Sequence, residues 1–447
     1  MRTTVRRSIQ IVSAVCLTYL LWRQNFITAV RPLYSWASWL DPLAGLVNLL
    51  RGTLPLLSLI SLASLLIAVV LGRVFCVYVC PVGTLLDLIA DFKKAVHWGG
   101  LRPGDKTRVW LERLRWIILG GAVGLILLGY SLALFVDPLV LWPRDFWLLI
   151  NKEIPWSLIA VVLLGMVSFP RFWCRFVCPA GSTFSLASRM RGASRLAGGK
   201  CTKCRVCVRH CPMMNVSSEI GFGSDCLHCG VCSRKCPARC LDKPASLVPV
   251  DKGRRDLLLS SGAGLGLLAI GGIARAVKVE TVIGGRRWAR LLRPPGALEE
   301  RDFLAACQRC GQCLSVCPTK VLRPSGLESG LLGLWTPRFV PRLGRCMFCN
   351  ACDQVCPTKA LAVMPPEKFR LGTAVIHRHL CLAWNKGIKC LLCVETCPRF
   401  AIRINADGRP VIDEERCFGC GACEAHCPVA DSAVILTNRG EIRRRER

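Results

Sequence analysis

The chain has 447 residues, a formal charge of +31, 52% hydrophobic residues, a mean hydropathy of +0.40 and 30 cysteines. That length allows two to four domains, and the apolar balance excludes an ordinary soluble ferredoxin. So many cysteines in so long a chain exclude a small disulfide scaffold, and no nucleic-acid motif accompanies the basic charge.

In chain order the first features are four apolar stretches, approximately Ile9–Val30, Leu54–Phe75, Leu114–Val136 and Ile154–Trp173. Each is near the roughly 20 residues that a spanning helix needs. They predict a membrane α-helical region over 1–195. Arg2, Arg6 and Arg7, with Lys93, Lys94, Arg102, Lys106, Arg108, Arg113 and Arg115 after the second stretch, place its termini and the clusters from Cys201 in the cytoplasm. Trp36, Trp39, Trp142, Trp147 and Trp156 suit an interfacial belt on the opposite side. The expected localisation is the bacterial inner membrane, multi-pass.

This region is a duplicated two-helix repeat. Asp41-Pro42-Leu43 recurs as Asp137-Pro138-Leu139, and the run from Phe75 to Gly83 recurs from Trp173 to Gly181, 98 residues on. Each repeat ends in C-x3-C-P, with Cys76 and Cys80 in the first and Cys174 and Cys178 in the second. Cysteines at i and i+4 share a helix face, so four thiols converge if the repeats lie side by side. Either they hold a shared cofactor, a seventh cluster, or they form a thiol site; the bland reading is small buried residues. Asp41 and Asp137 read as turn openers before proton acceptors for quinol. Cys16 reads as packing and Cys240 as a spare thiol. No histidine falls in the four stretches and no C-x2-C-H occurs, which argues against haem.

From Cys201 the chain spells out six ligand sets for [4Fe-4S] clusters. Five follow C-x2-C-x2-C-x3-C-P: Cys201, Cys204, Cys207 and Cys211; Cys226, Cys229, Cys232 and Cys236; Cys307, Cys310, Cys313 and Cys317; Cys346, Cys349, Cys352 and Cys356; Cys417, Cys420, Cys423 and Cys427. The sixth is stretched, with Cys381 followed by Cys390, Cys393 and Cys397. Three closely spaced thiolates wrap one cluster and the fourth ligates its neighbour. Structural zinc takes two separated C-x2-C knuckles instead. Because the ligating thiols deprotonate, six clusters of core charge +2 bring the net charge to roughly +19. The chemistry of such cofactors is one-electron transfer.

The expected organisation is a four-helix domain over 1–195, a two-cluster ferredoxin domain over 196–245 and a crossing or signal segment over 250–276. A four-cluster ferredoxin-type domain of α+β character then covers 296–447. The crossing segment opens on Arg254-Arg255 before a Gly-rich apolar run, as in twin-arginine export signals; it would be a fifth helix carrying the last four sets to the periplasm. Short strands are expected over Ala401–Asn405 and Val411–Asp413. Among the last four sets, nested and sequential exchange of the fourth cysteine remain equally open.

These motifs carry a family resemblance. Residues 1–240 resemble the NapH/MauN membrane ferredoxin-type proteins of periplasmic nitrate reductase and methylamine utilisation systems. Residues 250–447, with the run from Cys381 to Trp384 and from Cys390 to Cys393, resemble the exported NapG/MauM type. The departure is that two proteins usually separate are joined. The resemblance implies an electron relay between quinol, or a membrane quinol dehydrogenase, and a periplasmic reductase or dehydrogenase. Two other classes stand beside it: a quinol dehydrogenase with its own pocket near Asp41 or Asp137, and a redox-sensing or maturation protein acting through the C-x3-C-P thiols.

Overall fold

A computed structural model describes residues 3–24, 40–50, 55–98, 104–127, 129–131, 136–169, 171–189, 201–213, 225–227, 229–238, 291–365 and 369–444. The segment 250–276 with its paired arginines, Cys240, Trp36 and Trp39 lie outside the described residues. The chain divides into two compact units, Met1–Arg23 with Trp36–Ile273, and Gln24–Ser35 with Ala274–Arg447.

In the first unit, helix α1 (Thr3–Gln24) precedes two copies of one pattern. The first copy runs α2 (Pro42–Leu50), α3 (Pro55–Leu71), the single turn α4 (Val74–Tyr78) and α5 (Pro81–Ala95). After α6 (Asp105–Leu127), the second copy runs α7 (Pro138–Ile150), α8 (Trp156–Val167), a π-helical turn over Trp173–Val177 and α9 (Pro179–Arg189). Proline opens α2, α5, α7 and α9, where its missing N–H would have had no helical partner. The two copies exchange partners. Helix α3 of the first packs on α9 of the second, and α5 of the first packs on α8 of the second. Both Cys-Pro junctions are thereby held between repeats.

The expectation of a membrane α-helical fold is overturned here. Among the described residues, no helix is long and apolar enough to cross a membrane. The local reasons are legible. Helix α3 has 17 residues and is closed by Gly72 at φ +77°, and α8 has 12 and gives way to extended Ser168. Helix α6 has 23 residues, but six of its first eleven are charged. Helix α1 turns Arg6 and Gln10 inward, so it is not apolar across its inner face. The four expected spans are thus short, or charged, and the multi-pass inner-membrane localisation is not supported.

The second unit is built of short helices and two-stranded antiparallel sheets. Strand β1 (Leu322–Pro324) pairs with β2 (Pro337–Phe339), β3 (Thr373–Ile376) with β6 (Val434–Thr437), and β4 (Ile402–Ile404) with β5 (Pro410–Ile412). Strands β4 and β5 lie where the sequence places strand-like stretches. The β3–β6 pair, Thr373 against Thr437, brings the chain around the last two cysteine sets and closes that module on itself. The α+β ferredoxin-like character expected for 296–447 is what these elements display.

Candidate metal centres

Each regular cysteine loop uses the same backbone device. The second residue after the first cysteine, and the residue after the second cysteine, adopt positive φ: Lys203 and Arg205, Arg309 and Gly311, Phe348 and Asn350, Gly419 and Gly421, with Gly230 in the remaining loop. Alternating right- and left-handed residues turn successive N–H groups to one side, a nest of the kind found at iron–sulfur sites. The stretched set departs from this. Cys381 precedes helix α10 (Leu382–Asn385), and Leu391, before Cys393, has φ −120°. Trp384 anchors that longer loop by donating to the Pro410 carbonyl at 2.9 Å, with the guanidinium groups of Arg378 and Arg409 against its ring.

The question of exchange is decided by which thiols meet. One pocket is lined by Cys307, Cys310, Cys313 and, from the next motif, Cys356. Another is lined by Cys417, Cys420, Cys423 and, from the preceding motif, Cys397. Cys352 lies within electrostatic reach of Cys346, Cys349 and Cys317, and Cys393 of Cys381, Cys390 and Cys427. The thiols therefore meet sequentially: the fourth cysteine of the Cys307 motif lies with the Cys346 set and that of the Cys346 motif with the Cys307 set, and the Cys381 and Cys417 motifs trade in the same way. In the first unit Cys232 has Cys226, Cys229 and Cys211 about it, while Cys207 has Cys201 and Cys204 and packs with Cys236. The two modules of the second unit meet where the Cys346 N–H donates to the Cys420 carbonyl at 2.8 Å. There the Phe348 and Phe418 rings meet at a tilt of 45° with their centres 4.7 Å apart.

These sites fit iron–sulfur clusters. Three of the exchanged thiols accept a backbone N–H: Cys356 from Leu361 (3.5 Å), Cys397 from Ala401 and Cys427 from Ala433 (both 3.3 Å). Such bonds to sulfur are one of the levers that set cluster potentials. Burial pushes the Cys310 and Cys393 thiols up to about 12, so without metal they stay protonated, and binding must release protons. Among the described residues no group of three or more His, Cys, Asp or Glu is placed to hold a single metal ion.

The C-x3-C-P cysteines lie in the first unit's core. Cys80 and Cys174 share one apolar cluster, and Cys178 with Cys76 another, so each pair takes one thiol from each repeat. Arginines cross over in the same reciprocal way. Arg73 donates to the carbonyls of Cys174 (3.1 Å) and Gly181 (2.5 Å); Arg171, 98 residues on, donates to those of Cys76 (3.0 Å) and Gly83 (3.5 Å). A Cβ at Gly83 would stand 2.7 Å from the Cys76 carbonyl, and one at Gly181 2.7 Å from the Arg73 guanidinium, which is why glycine stands two residues after the proline of each Cys-Pro.

Each arginine has a carboxylate. Arg171 grips Asp87 with two bonds of 2.8 and 2.9 Å, and Arg6, Arg7 and Gln10 of α1 crowd the same carboxylate. The second repeat carries Ser185 where the first has Asp87, and the missing acid comes from Asp225. Asp225 accepts from Ser185 (2.7 Å), Arg115 (2.7 Å) and Arg73 (3.2 Å). Burial works to raise both carboxyls, but the guanidinium groups override it and hold each well below the usual carboxylate range. Asp225 directly precedes Cys226, so this node ties the two-cluster segment to the repeats.

Asp41 and Asp137 are fully buried, and each accepts a backbone N–H at 2.9 Å, from Leu43 and Leu139, as turn openers do. They also interact with each other. Burial raises Asp41 to about 6 and holds Asp137 well above the ordinary carboxylate range, the Asp41 charge adding to the latter. The folded protein therefore holds more protons than the unfolded chain between pH 4 and 6. Stability is expected to fall as pH rises through that window, by on the order of 2–3 kcal/mol. Anaerobic denaturant titrations at the two ends of the window, for wild type and Asp41→Asn, check this; an equal pH response in both would refute it.

Cys16, expected to pack, is exposed on α1. The Arg73, Arg171, Asp87 and Asp225 node was not anticipated. Its signal was present, since the 98-residue duplication extends upstream from Phe75 and Trp173 to Arg73 and Arg171.

Loops that wrap thiols in threes and exchange the fourth define a ferredoxin-type protein. Comparison with known proteins agrees. Residues 53–99 and 155–196 match a family described as "4Fe-4S binding domain", and residues 306–361 and 386–430 match two described as "4Fe-4S dicluster domain". The methylamine utilization ferredoxin-type protein MauM of Methylorubrum extorquens is 38% identical over 205 residues, covering 43% of this chain and 91% of that protein. The ferredoxin-type protein NapG of Escherichia coli is 34% identical, covering 41% and 84%. NapF of Haemophilus influenzae is 36% identical, covering 31% and 75%. Over about two fifths of its length the chain belongs to the MauM/NapG ferredoxin-type family. No solved structure matches.

Proposed function

We propose that this chain is an electron relay holding six [4Fe-4S] clusters in the 24 cysteines of its six motifs, two in 196–245 and four in 296–447, with no haem. One end would exchange electrons with quinol or a quinol-oxidising partner. The other would meet a redox enzyme, as the methylamine utilization name of the MauM relatives suggests for those proteins. The observation that carries this reading is the set of four thiol groups in the second unit, each completed by a cysteine of the adjacent motif. When bound, the clusters supply one-electron transfer. The chain's own residues place the ligands, donate N–H groups to sulfur and exclude water. At the Cys346–Cys420 contact the neighbouring sets are those of Cys346 and Cys417. The order along the second unit thus starts at the Cys307 set, passes those of Cys346 and Cys417, and ends at that of Cys381. Anaerobically purified protein is expected to hold at least about 24 irons and as much acid-labile sulfide, four per set. Zinc in place of iron, or fewer than half that iron after reconstitution, would overturn the reading.

A further inference from the structure

We propose that Cys76, Cys80, Cys174 and Cys178 are the four ligands of a further [4Fe-4S] cluster, held between the repeats of the first unit. This extends the relay reading and rests on the protein being an iron–sulfur carrier.

Three observations carry it. First, the four thiols are brought together by the exchange of partners between repeats, not by local sequence. Cys174 lies within electrostatic reach of Cys76, Cys80 of both, and Cys178 of both Cys76 and Cys174. Three of the four are buried and all are free thiols.

Second, the surroundings are cationic in a way that bare thiols do not explain. Arg73 and Arg171 are fully buried beside these cysteines. Their carboxylates are not theirs alone, since Asp225 is shared with Arg115, and Asp87 with Arg6 and with Arg7, which also pairs with Asp91, so that five guanidinium groups face three carboxylates. Uncompensated buried cations are costly. Four thiolates around a core of charge +2 leave two negative charges, which answer the two arginines.

Third, the site is next to a cysteine set of the regular kind. Cys76 packs with Val77, Met213 and Leu227 in a cluster that also holds Cys211 and Cys229. A centre there has a neighbour with which to exchange electrons, whereas packing cysteines would need none. The match of 53–99 and 155–196 to a 4Fe-4S binding domain covers both C-x3-C-P segments and none of the regular sets.

The test is iron and sulfide analysis with EPR on the anaerobically purified full chain. Wild type is expected to hold about 28 irons, and a Cys76/Cys80/Cys174/Cys178→Ser variant about 24, one cluster fewer. An Arg73→Lys/Arg171→Lys variant is expected to keep its iron and to shift the midpoint potential of one EPR signal, leaving the others in place. Wild type with about 24 irons overturns this inference alone, and that count needs no variant to fold. One zinc lost from the serine variant in place of four irons overturns it as well. Wild type without iron in any set overturns the relay reading, and this inference with it.

Discussion

Replacing Asp225 by asparagine is expected to destabilise the first unit by about 3–5 kcal/mol, the cost of leaving buried charges without their partner. Asp225 is 6% exposed and bonds Arg73, Arg115 and Ser185; the two arginines are themselves 1% and 2% exposed. The amide keeps the shape but removes the charge, so Arg73 and Arg115 lose the carboxylate they share. Because Cys226 follows directly, the variant is also expected to lose iron from the set of Cys226, Cys229, Cys232 and Cys211 before any other. Anaerobic guanidinium unfolding, with iron release followed in parallel, measures both. A change in stability below about 0.5 kcal/mol, the size of an ordinary surface substitution, would mean that the node does not hold this segment. The pH dependence has a definite sign. Asp87 and Asp225 are depressed in the folded state, so their contribution is complete above the unfolded carboxylate range and is lost as pH falls below it.

The second large effect concerns the exchanged cysteines. Cys356→Ala is expected to empty the set of Cys307, Cys310 and Cys313, not that of its own motif, and Cys317→Ala the set of Cys346, Cys349 and Cys352. The distinction is measurable without assigning spectra. In a background where Cys307, Cys310 and Cys313 are already serine, Cys356→Ala is expected to remove no further iron, while Cys317→Ala removes about four more. The reverse result would mean that each motif keeps its own fourth cysteine, and a loss of about four irons in both variants would restore the nested alternative, in which the Cys307 set trades with that of Cys417. Loss of one cluster is also expected to loosen its partner, since the two share β1, β2 and the loops between them.

The helical half shows where a sequence reading runs out. Windows of about 20 apolar residues suggested spans, but a window averages over breaks. Gly72 and Ser168 end helices inside two of those windows, and the first turns of α6 carry Arg108, Glu112, Arg113 and Arg115 inside or beside a third. The duplication is a structural repeat. What it builds, an exchange of helices and arginines between copies, depends on packing that no window contains.

The sequence by itself determined the ligand type, the count of thiols in each loop and the iron–sulfur class. Those follow from spacing within about ten residues and from a backbone nest that Gly311, Gly419 and Gly421 announce locally. Tertiary structure decided which fourth cysteine completes which set, that the Cys346 and Cys417 sets are neighbours, and that Asp225 replaces the acid missing at Ser185. These are contacts between residues tens to more than a hundred positions apart. Such contacts are fixed by burial and charge pairing in the folded chain, where the cost of an unpaired buried group selects one arrangement.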